Sequence, residues 1–339
     1  MESTSSIVFV ESDRMSQRKK TVIQILRENP GFVSGQSISD SLGISRNAVH
    51  KHVNSLRARG YRILGISRRG YKLEEEPRRL AMPIVAKLTQ ACAVATTFRY
   101  HAEIESTNVE AKRLARQGAP EGTVVVAECQ LAGRGRLGRQ WTSPAGKGLL
   151  FSVILRPDLP MADAHLLTLT TGDAVAEAIE AHVKVPVHLK WPNDLIISNK
   201  KAGGILLEVT GEHDRVDWVV AGIGINVNVE FSELPVSLRK TATSLKMATD
   251  KTVDRSGLLA RILLTLERAY VDCLANGFEH TLRDCRERDY LLHRSVSVQT
   301  REGLVVGEAA GIDDRGALLV ELPDRHIRRF HSGDVSLHQ

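Results

Sequence analysis

The segment Gly133–Arg139 places three arginines and three glycines within seven residues. Glycine lets a backbone approach a ligand closely, and arginine presents a planar set of donors that matches phosphate and carboxylate oxygens. The segment lacks a Gly-Lys-Ser/Thr end and no helical pattern follows it, so it is neither a P-loop nor a dinucleotide fingerprint. An apolar run, 123–128, precedes it and predicts a buried strand. We interpret the segment as an anion-binding loop; the alternatives are a solvated basic turn or a nucleic-acid arm.

Two further segments place cations beside glycine or proline. Lys190-Trp191-Pro192-Asn193-Asp194 follows the apolar run 185–189, and Lys200-Lys201-Ala202-Gly203-Gly204 precedes the predicted strand 205–209. Strand ends are where sites on α/β scaffolds usually lie. We therefore expect the three segments to meet around one anionic substrate.

Composition limits the class of protein. A chain of 339 residues with 42% hydrophobic and 25% charged residues predicts two or three globular domains. The formal net charge of +6 permits nucleotide or nucleic-acid partners. The cysteines have no metal-ligand spacing, and we expect buried free thiols at Cys92, Cys129, Cys273 and Cys285. We see no signal peptide and no apolar run of membrane length, so we expect a cytoplasmic protein without membrane partners.

The first part of the chain predicts a DNA-binding domain. Residues 1–15 are polar and aperiodic, and we expect an N-terminal extension that is disordered. Residues 16–77 predict three helices and a β-hairpin around 61–73, which together form a winged helix-turn-helix. The third helix, its capping residue and the hairpin carry the predicted DNA-contacting residues Ser45, Arg46, Asn47, His50, Lys51, Arg68 and Arg69. The alternative is a helical protein-interaction module with a solvated basic face.

The remainder of the chain predicts two more domains. Residues 80–288 alternate strands with helices, the longest at 164–184 and 256–276, and short turns between strands favour a mixed sheet. Residues 290–339 contain short strands and turns typical of a small β-barrel. The predicted fold class is α+β: a winged helix-turn-helix, a central mixed-sheet domain and a small β-domain.

The three cationic segments, in this order behind a winged helix, resemble the biotin–protein ligases of the bifunctional type, which also repress biotin-synthesis genes. The resemblance extends to Gly311–Leu319 and implies an SH3-like C-terminal domain. It implies that ATP, with Mg²⁺, activates biotin to biotinyl-5'-AMP, and that the biotinyl group passes to a lysine of the biotin carboxyl carrier protein. It further implies a homodimer that binds operator DNA when biotinyl-AMP is present, and no tightly bound cofactor.

The resemblance also assigns residues. It implies catalytic roles for Arg134, Arg136, Lys190, Asp194 and Lys201. It implies biotin contacts from Ser106, Thr107, Asn108, Gln130, Gly133, Arg134, Gly135, Arg136, Lys201 and Gly204. It implies adenylate contacts from Arg136, Trp141, Lys190, Asn193 and Asn226. Asp194 either holds Mg²⁺ or orients the incoming lysine, and the sequence does not choose between these roles.

Several residues have a second explanation. Ser106 and Thr107 stand at a predicted helix start, where helix capping alone explains them. For Trp191 we prefer core packing, and Gly222–Asn226 is either a tightly packed glycine strand or a ligand contact. Leu137 occupies a position where some bifunctional members carry an arginine, and Arg139 is the candidate to supply that charge.

Three other functions compete with a bifunctional ligase. They are a ligase without repressor activity, a biotin-sensing transcription factor without catalysis, and a lipoate ligase with the same adenylate chemistry. In the family, catalytic-domain sheets pair edge to edge, so the resemblance places a dimer interface near strands 205–225.

Overall fold

The structure of the protein is a computed structural model that describes residues 6–9, 21–58, 61–76, 79–212, 214–300 and 303–338. These residues form three structural parts in chain order: a small helical domain, a central domain built on a large sheet, and a C-terminal β-domain. The predicted α+β class is therefore confirmed. No helix in these ranges has the length and apolar character needed to cross a membrane.

The helical domain has the winged helix-turn-helix arrangement. Its elements are α1 Val22–Glu28, α2 Gly35–Leu42, α3 Arg46–Ala58, β2 Arg62–Ile66 and β3 Gly70–Glu75, where β2 and β3 pair as the wing. The Ser34 side chain caps α2, and Gly43 ends it with a positive φ of 64°. The apolar spacing of α3 predicts that Val49 and Val53 face the core; both are fully buried, and Ile38 packs in the same cluster.

The central domain contains most of an eight-stranded mixed sheet. Its elements are α4 Met82–Leu88, β4 Thr97–His101, α5 Thr107–Arg116, β5 Thr123–Ala127, β6 Gly148–Leu155, α6 Leu166–Val183, β7 His188–Lys190, β8 Asp194–Ile197, β9 Lys200–Glu212, β10 Arg215–Asn226, α7 Leu245–Thr249, α8 Arg255–Asn276 and α9 Glu279–Glu287. With β1 Ser6–Phe9, the strand order is β1-β4-β5-β6-β10-β9-β8-β7. The pairs β1–β4 and β4–β5 are parallel and the others are antiparallel, as expected for a mixed sheet.

Helices cover the sheet on both faces. The long apolar helices α6 and α8 pack together against one face and enclose the main core, which includes Phe98, Phe151 and Ile179. On the other face α5 packs against β5, β6 and β10 through a smaller cluster that includes Ala111 and Trp218. Because α5 is short, this second face leaves room for a cavity.

The N-terminal extension differs from expectation. We predict disorder for residues 1–15, and this is wrong for Ser6–Phe9, which form β1 and pair with Thr97–Tyr100. The physical reason is that β4 would otherwise be an edge strand with unpaired backbone groups, and Ile-Val-Phe has high strand propensity. Residues 1–5 and 10–15 lie outside the described part of the chain.

The C-terminal domain is a five-stranded antiparallel sheet. Its strands are β11 Ser295–Thr300, β12 Gly303–Ile312, β13 Leu318–Glu321, β14 Ile327–Phe330 and β15 Asp334–Leu337, in the order β14-β13-β12-β11-β15. Sequence patterns at 295–299, 304–309, 317–322 and 325–330 predict four of these strands, and β15 is missed. The connection into this domain also extends the central sheet, because the Leu189 N–H donates to Arg288 O and the Tyr290 N–H donates to Leu189 O.

A buried ion pair joins the start of the central domain to its core. Arg255 Nη1 donates to Glu128 Oε2 at 2.8 Å, and both side chains are at most 6% exposed. Glu128 Oε1 accepts from the Leu80 N–H and from the Tyr100 hydroxyl. The carboxylate therefore holds the chain where it leaves the helical domain.

Replacing Arg255 by Met should lower the free energy of unfolding by about 3 kcal/mol, because a buried carboxylate loses its cation. Urea unfolding followed by circular dichroism measures this change. The control is Arg113→Gln, which breaks the exposed pair with Glu110 and should cost less than about 1 kcal/mol. Equal losses in the two variants would show that burial adds nothing to the Glu128–Arg255 pair.

Candidate active site

The three cationic segments border one cavity of about 650 Å³ on the α5 face of the sheet. Arg136 comes from the Gly/Arg loop, Lys190 from the end of β7 and Lys201 from the start of β9. The expected convergence is therefore present. The cavity is lined by six lysines and arginines and by two carboxylates, Asp194 and Asp334. This excess of cations favours a polyanionic ligand over a neutral one.

Strand register brings the β7–β8–β9 residues together. Lys190 lies opposite Asp194, and Asp194 lies opposite Gly204 on the next strand. Lys201 Nζ donates to Asp194 Oδ1 at 2.5 Å, and the same ammonium lies 5.7 Å from the ring centroid of Trp141. Lys201 is thus held between a carboxylate and an indole face, and its charge points into the cavity.

Burial destabilises the charged forms of Lys190 and Arg136. Burial lowers the pKa of Lys190 below its ordinary 10.5, Asp194 opposes this effect and Lys201 adds to it. Burial also lowers the pKa of Arg136, opposed by Asp194 and Asp334. Solvent and neighbouring carboxylates stabilise these two cations only in part, so a bound anion would stabilise their charged forms further.

The Gly/Arg loop is folded onto itself and onto the C-terminal domain. The Gly135 N–H donates to Arg139 O at 2.7 Å and the Trp141 N–H donates to Gly133 O at 2.9 Å. Arg136 donates to Asn193 Oδ1 and to Gly333 O, both at 3.3 Å. Arg134 and Gly135 line the cavity at its exposed side.

Arg139 does not simply replace the arginine that is missing at Leu137. Its guanidinium forms an ion pair with Asp334 of β15, so its charge is partly neutralised by the C-terminal domain. Leu137 itself is 73% exposed and has a φ of 55°. The Asp334 contact was not foreseeable because β15 follows the loop by almost two hundred residues.

The opposite end of the cavity is formed by the start of α5. Ser106 is the N-cap residue but makes no side-chain capping hydrogen bond, so capping does not account for its hydroxyl. Gln130 Oε1 accepts from the Thr107 N–H at 2.7 Å and lies 3.1 Å from the Thr107 hydroxyl. Asn108 lies directly against Gly222, where an added Cβ would come 1.8 Å from Asn108 Oδ1.

Glycines also fix the position of Trp141. A Cβ at Gly224 would lie 2.8 Å from Trp141 Cε2, and one at Gly133 would lie 2.4 Å from Trp141 O. The indole thus packs flat on β10, and its buried Nε1 has no hydrogen-bond partner in the described residues. Asn226 is buried nearby and donates to Thr243 O at 3.1 Å.

Trp191 packs in the core as we prefer, and it also lines the cavity. It is 6% exposed, packs with the C-terminal core and donates from Nε1 to Gly316 O at 2.9 Å. The four cysteines are likewise buried and free, as expected.

Sequence reasoning misses two lining segments. One is Leu234–Ala242, which follows β10 and supplies Leu234, Pro235, Leu238, Lys240, Thr241 and Ala242. The other is β15 with its preceding turn, which supplies Asp334, Val335, Ser336 and Leu337. Neither carries a motif, and only the folded chain brings them to the cavity.

The winged helix presents a separate basic surface. Arg46, Asn47 and Lys51 are exposed on α3, and Ser45 accepts the Ala48 N–H as a helix cap. The His50 ring contacts the Tyr71 hydroxyl at 3.1 Å, which ties α3 to the wing. On the wing Arg68 is exposed, and Arg69 is stacked over Phe32 at 4.5 Å.

The chain is similar to known proteins over most of its length. A model of the biotin/lipoate A/B protein ligase family matches residues 100–226, an HTH domain model matches 18–72 and a biotin protein ligase C-terminal domain model matches 292–338. The bifunctional ligase/repressor BirA of Bacillus subtilis is 39% identical over 324 residues, 96% of this chain and 99% of the relative. That of Escherichia coli is 32% identical over 92% of this chain and 95% of the relative.

A solved structure agrees with this assignment. The biotin protein ligase from Aquifex aeolicus, in complex with biotin and ATP, superposes with a TM-score of 0.62 at 32% identity and covers 71% of this chain and 98% of its own. The family models fall inside the units that we predict at 16–77, 80–288 and 290–339. Given the cavity, the domain order and these similarities, the chain belongs to the biotin–protein ligase family, in the group whose members combine a ligase with a repressor.

Proposed function

We propose that this protein activates biotin with ATP to biotinyl-5'-AMP and transfers the biotinyl group to a lysine of a carrier domain. The observation that carries the proposal is the convergence of Arg136, Lys190 and Lys201 around one cavity. A carboxylate must attack the α-phosphorus of a polyanion, so both negative charges need cationic partners before they can approach. Three segments with mobile and planar cations meet that need.

The cations have different tasks. The Lys201 ammonium is a compact point charge beside Asp194, suited to the junction between carboxylate and phosphate. Arg136 offers a planar fork from a loop that can close over the acyl phosphate, and Lys190 serves the phosphates from the end of β7. The part of the cavity assigned to the adenylate is lined by Trp141, Asn193 and Asn226.

Biotin occupies the α5 end in this proposal. Ser106, Thr107 and Gln130 provide hydroxyl and amide groups for the ureido ring. Ser152 links the Thr107 hydroxyl to Asn108. Gly204 lets the backbone of β9 approach the ring. Arg134 and Gly135 close the loop side, whereas Gly133 does not line the cavity and packs against the Trp141 backbone.

Asp194 is better suited to an ammonium than to a preformed metal cage. One lysine ammonium already lies 2.5 Å from its Oδ1, which is the kind of cation that an acceptor lysine presents. Within the described residues no three metal-ligating side chains cluster together. Asp194 would be the residue to hold Mg²⁺ that enters with ATP, and the ion would neutralise phosphate charge there.

The second part of the proposal is repression by a dimer. In the described residues the end of β9, 206–212, pairs with β10 but has no strand on its other side, because β8 pairs only as far as Gly204. A free edge of this kind supports edge-to-edge pairing of two copies near strands 205–225. Two winged helices then contact two operator half-sites, which gives an affinity that one small domain lacks.

The alternatives make different predictions for one assay. Labelled biotin, ATP, Mg²⁺ and a carrier domain are incubated with the protein, and label on the carrier is counted. Transfer of biotin supports a ligase, whereas binding without transfer supports a sensor that has lost catalysis. Preference for lipoate would overturn the proposal.

Replacing Arg136 by Gly should release biotinyl-AMP into solution, because the loop loses the fork that holds the acyl phosphate. Free adenylate, measured by chromatography after a single turnover, should rise at least tenfold, as expected when a charged hydrogen bond is lost. The control is Leu137→Gly, which changes an exposed neighbour whose positive φ glycine accepts readily. Tight retention of adenylate by the Arg136 variant would rule out the lid role.

The decline of adenylation at alkaline pH should depend on the charge of Lys190. Its pKa is lowered by burial, so its charge is lost as pH rises through a value below 10.5 and the KM for ATP should then increase. Lys190→Arg should keep its charge and move this decline to higher pH, while Lys87→Arg on the exposed face of α4 should not. Identical pH profiles for wild type and Lys190→Arg would exclude Lys190 as the titrating group.

Sedimentation with and without biotin and ATP should show a doubling of mass when the adenylate forms. Under the same conditions the protein should bind a palindromic operator with a steep salt dependence. Each subunit of the dimer contributes one Lys51, so Lys51→Gln should reduce the magnitude of the log–log salt slope by about two and leave ligation unchanged. A monomer in both conditions would eliminate the dimer switch.

A further inference from the structure

A chain of hydrogen bonds runs from the surface to the α5 end of the cavity. Lys112 Nζ donates to Glu208 Oε1 at 2.5 Å, and Asn108 Nδ2 donates to Glu208 Oε2 at 3.0 Å. Ser152 Oγ lies 2.7 Å from Asn108 Oδ1 and 2.8 Å from Thr107 Oγ1. Asn108, Ser152 and Thr107 are each at least 96% buried, so water does not compete for these contacts.

The Asn108 amide has only one workable orientation in this chain. Its Nδ2 faces two groups that can only accept, Leu206 O at 3.1 Å and the Glu208 carboxylate. Its Oδ1 must then face Ser152, and the lack of a Cβ at Gly222 allows it to sit there. The charge of Glu208 therefore fixes which Asn108 atom meets Ser152.

Proton counting extends this constraint to Thr107. Ser152 has one hydroxyl proton, and Asn108 Oδ1 needs it because that oxygen can only accept. The 2.8 Å contact between the Ser152 and Thr107 oxygens then needs the Thr107 proton, so Thr107 donates to Ser152. Gln130 Oε1 keeps the Thr107 N–H as its donor. The Thr107 proton is therefore directed into the protein, and lone pairs of its oxygen remain available to the cavity.

We propose that Glu208 is a positioning residue that sets the direction of proton donation through Asn108 and Ser152, so that Thr107 accepts a hydrogen bond from an N–H group of the substrate. The inference rests on the proposed function, in which the ureido ring of biotin supplies that N–H. Glu208 itself does not line the cavity, so it acts only through the relay.

Glu208→Gln tests the direction of the relay. Both carboxylate oxygens of Glu208 accept, whereas glutamine has one accepting oxygen and one donating NH₂ group. Lys112 and Asn108 then compete for the single oxygen. If Asn108 faces the NH₂ group, it must turn its Oδ1 towards that donor and away from Ser152. The dissociation constant for biotin, measured by calorimetry, should rise about tenfold, the loss expected for one hydrogen bond. The KM for ATP should change by less than about twofold. Ser152→Ala removes the hydroxyl between Asn108 and Thr107. It should likewise raise the dissociation constant for biotin and leave the KM for ATP almost unchanged.

Two variants separate this role from a structural one. Lys112→Met removes the ion pair but leaves both carboxylate oxygens of Glu208 to accept, so biotin affinity should stay within about twofold of wild type. Glu212→Gln, an exposed neighbour on β9, should have no effect. Thermal midpoints are measured for all four variants.

The outcomes are distinct. If Glu208→Gln and Ser152→Ala keep wild-type biotin affinity, the relay is wrong while the ligase function stands. Equal losses of biotin and ATP affinity, or equal losses in Lys112→Met and Glu208→Gln, would show a structural role and also overturn the relay. If the wild-type protein binds ATP but no biotin, the proposed function fails and the assigned substrate of the relay fails with it.

Discussion

The interaction on which the site depends is the partial compensation of clustered cations. Burial lowers the pKa of Lys190 and Arg136, and Asp194 and Asp334 offset this only in part. If every cation had a carboxylate partner, internal ion pairs would fill the cavity and an anionic ligand would gain no electrostatic attraction. If the carboxylates neutralised too little charge, repulsion would drive the Gly/Arg loop away from Lys190 and Lys201. The arrangement retains enough uncompensated charge that a nucleotide and a carboxylate can be brought together, although they repel each other in water.

Backbone register, more than side-chain packing, keeps these charges in place. The hairpins β7–β8 and β8–β9 set Lys190, Asp194 and Gly204 opposite one another on neighbouring strands. A slip of one residue would move each side chain to the other face of the sheet, where α6 and α8 form the core. Gly222 and Gly224 complete the restraint, because only residues without Cβ let Asn108 and Trp141 lie on the strand.

Much of the fold could be predicted from the sequence, because many of its signals come from residues that are close together in the chain. Helix caps and apolar periodicity report on neighbours within a few residues, so most helices and most strands were accessible, whereas α4 and α7 were missed. The convergence of the three segments was expected because each lies at a strand end. The pairing of Arg139 with Asp334, the lining segment 234–242 and β1 depend on contacts between distant parts of the chain. A strand as short as Ser6–Phe9 has no periodicity that distinguishes it from a polar tail. Side-chain roles are harder still, since Ser106 matches a cap by position and yet makes no capping bond.

The three domains do not contribute equally to the cavity. The C-terminal domain holds the Gly/Arg loop through Gly333 and Asp334, and the connection that leads into this domain, 288–290, pairs with β7 beside Lys190. The winged helix, in its described residues, lines none of it. Loss of the C-terminal domain would therefore release charges that repel one another, whereas a change in α3 would leave them in place. Substitutions in α3 and substitutions in the cavity therefore act on separate parts of this scaffold.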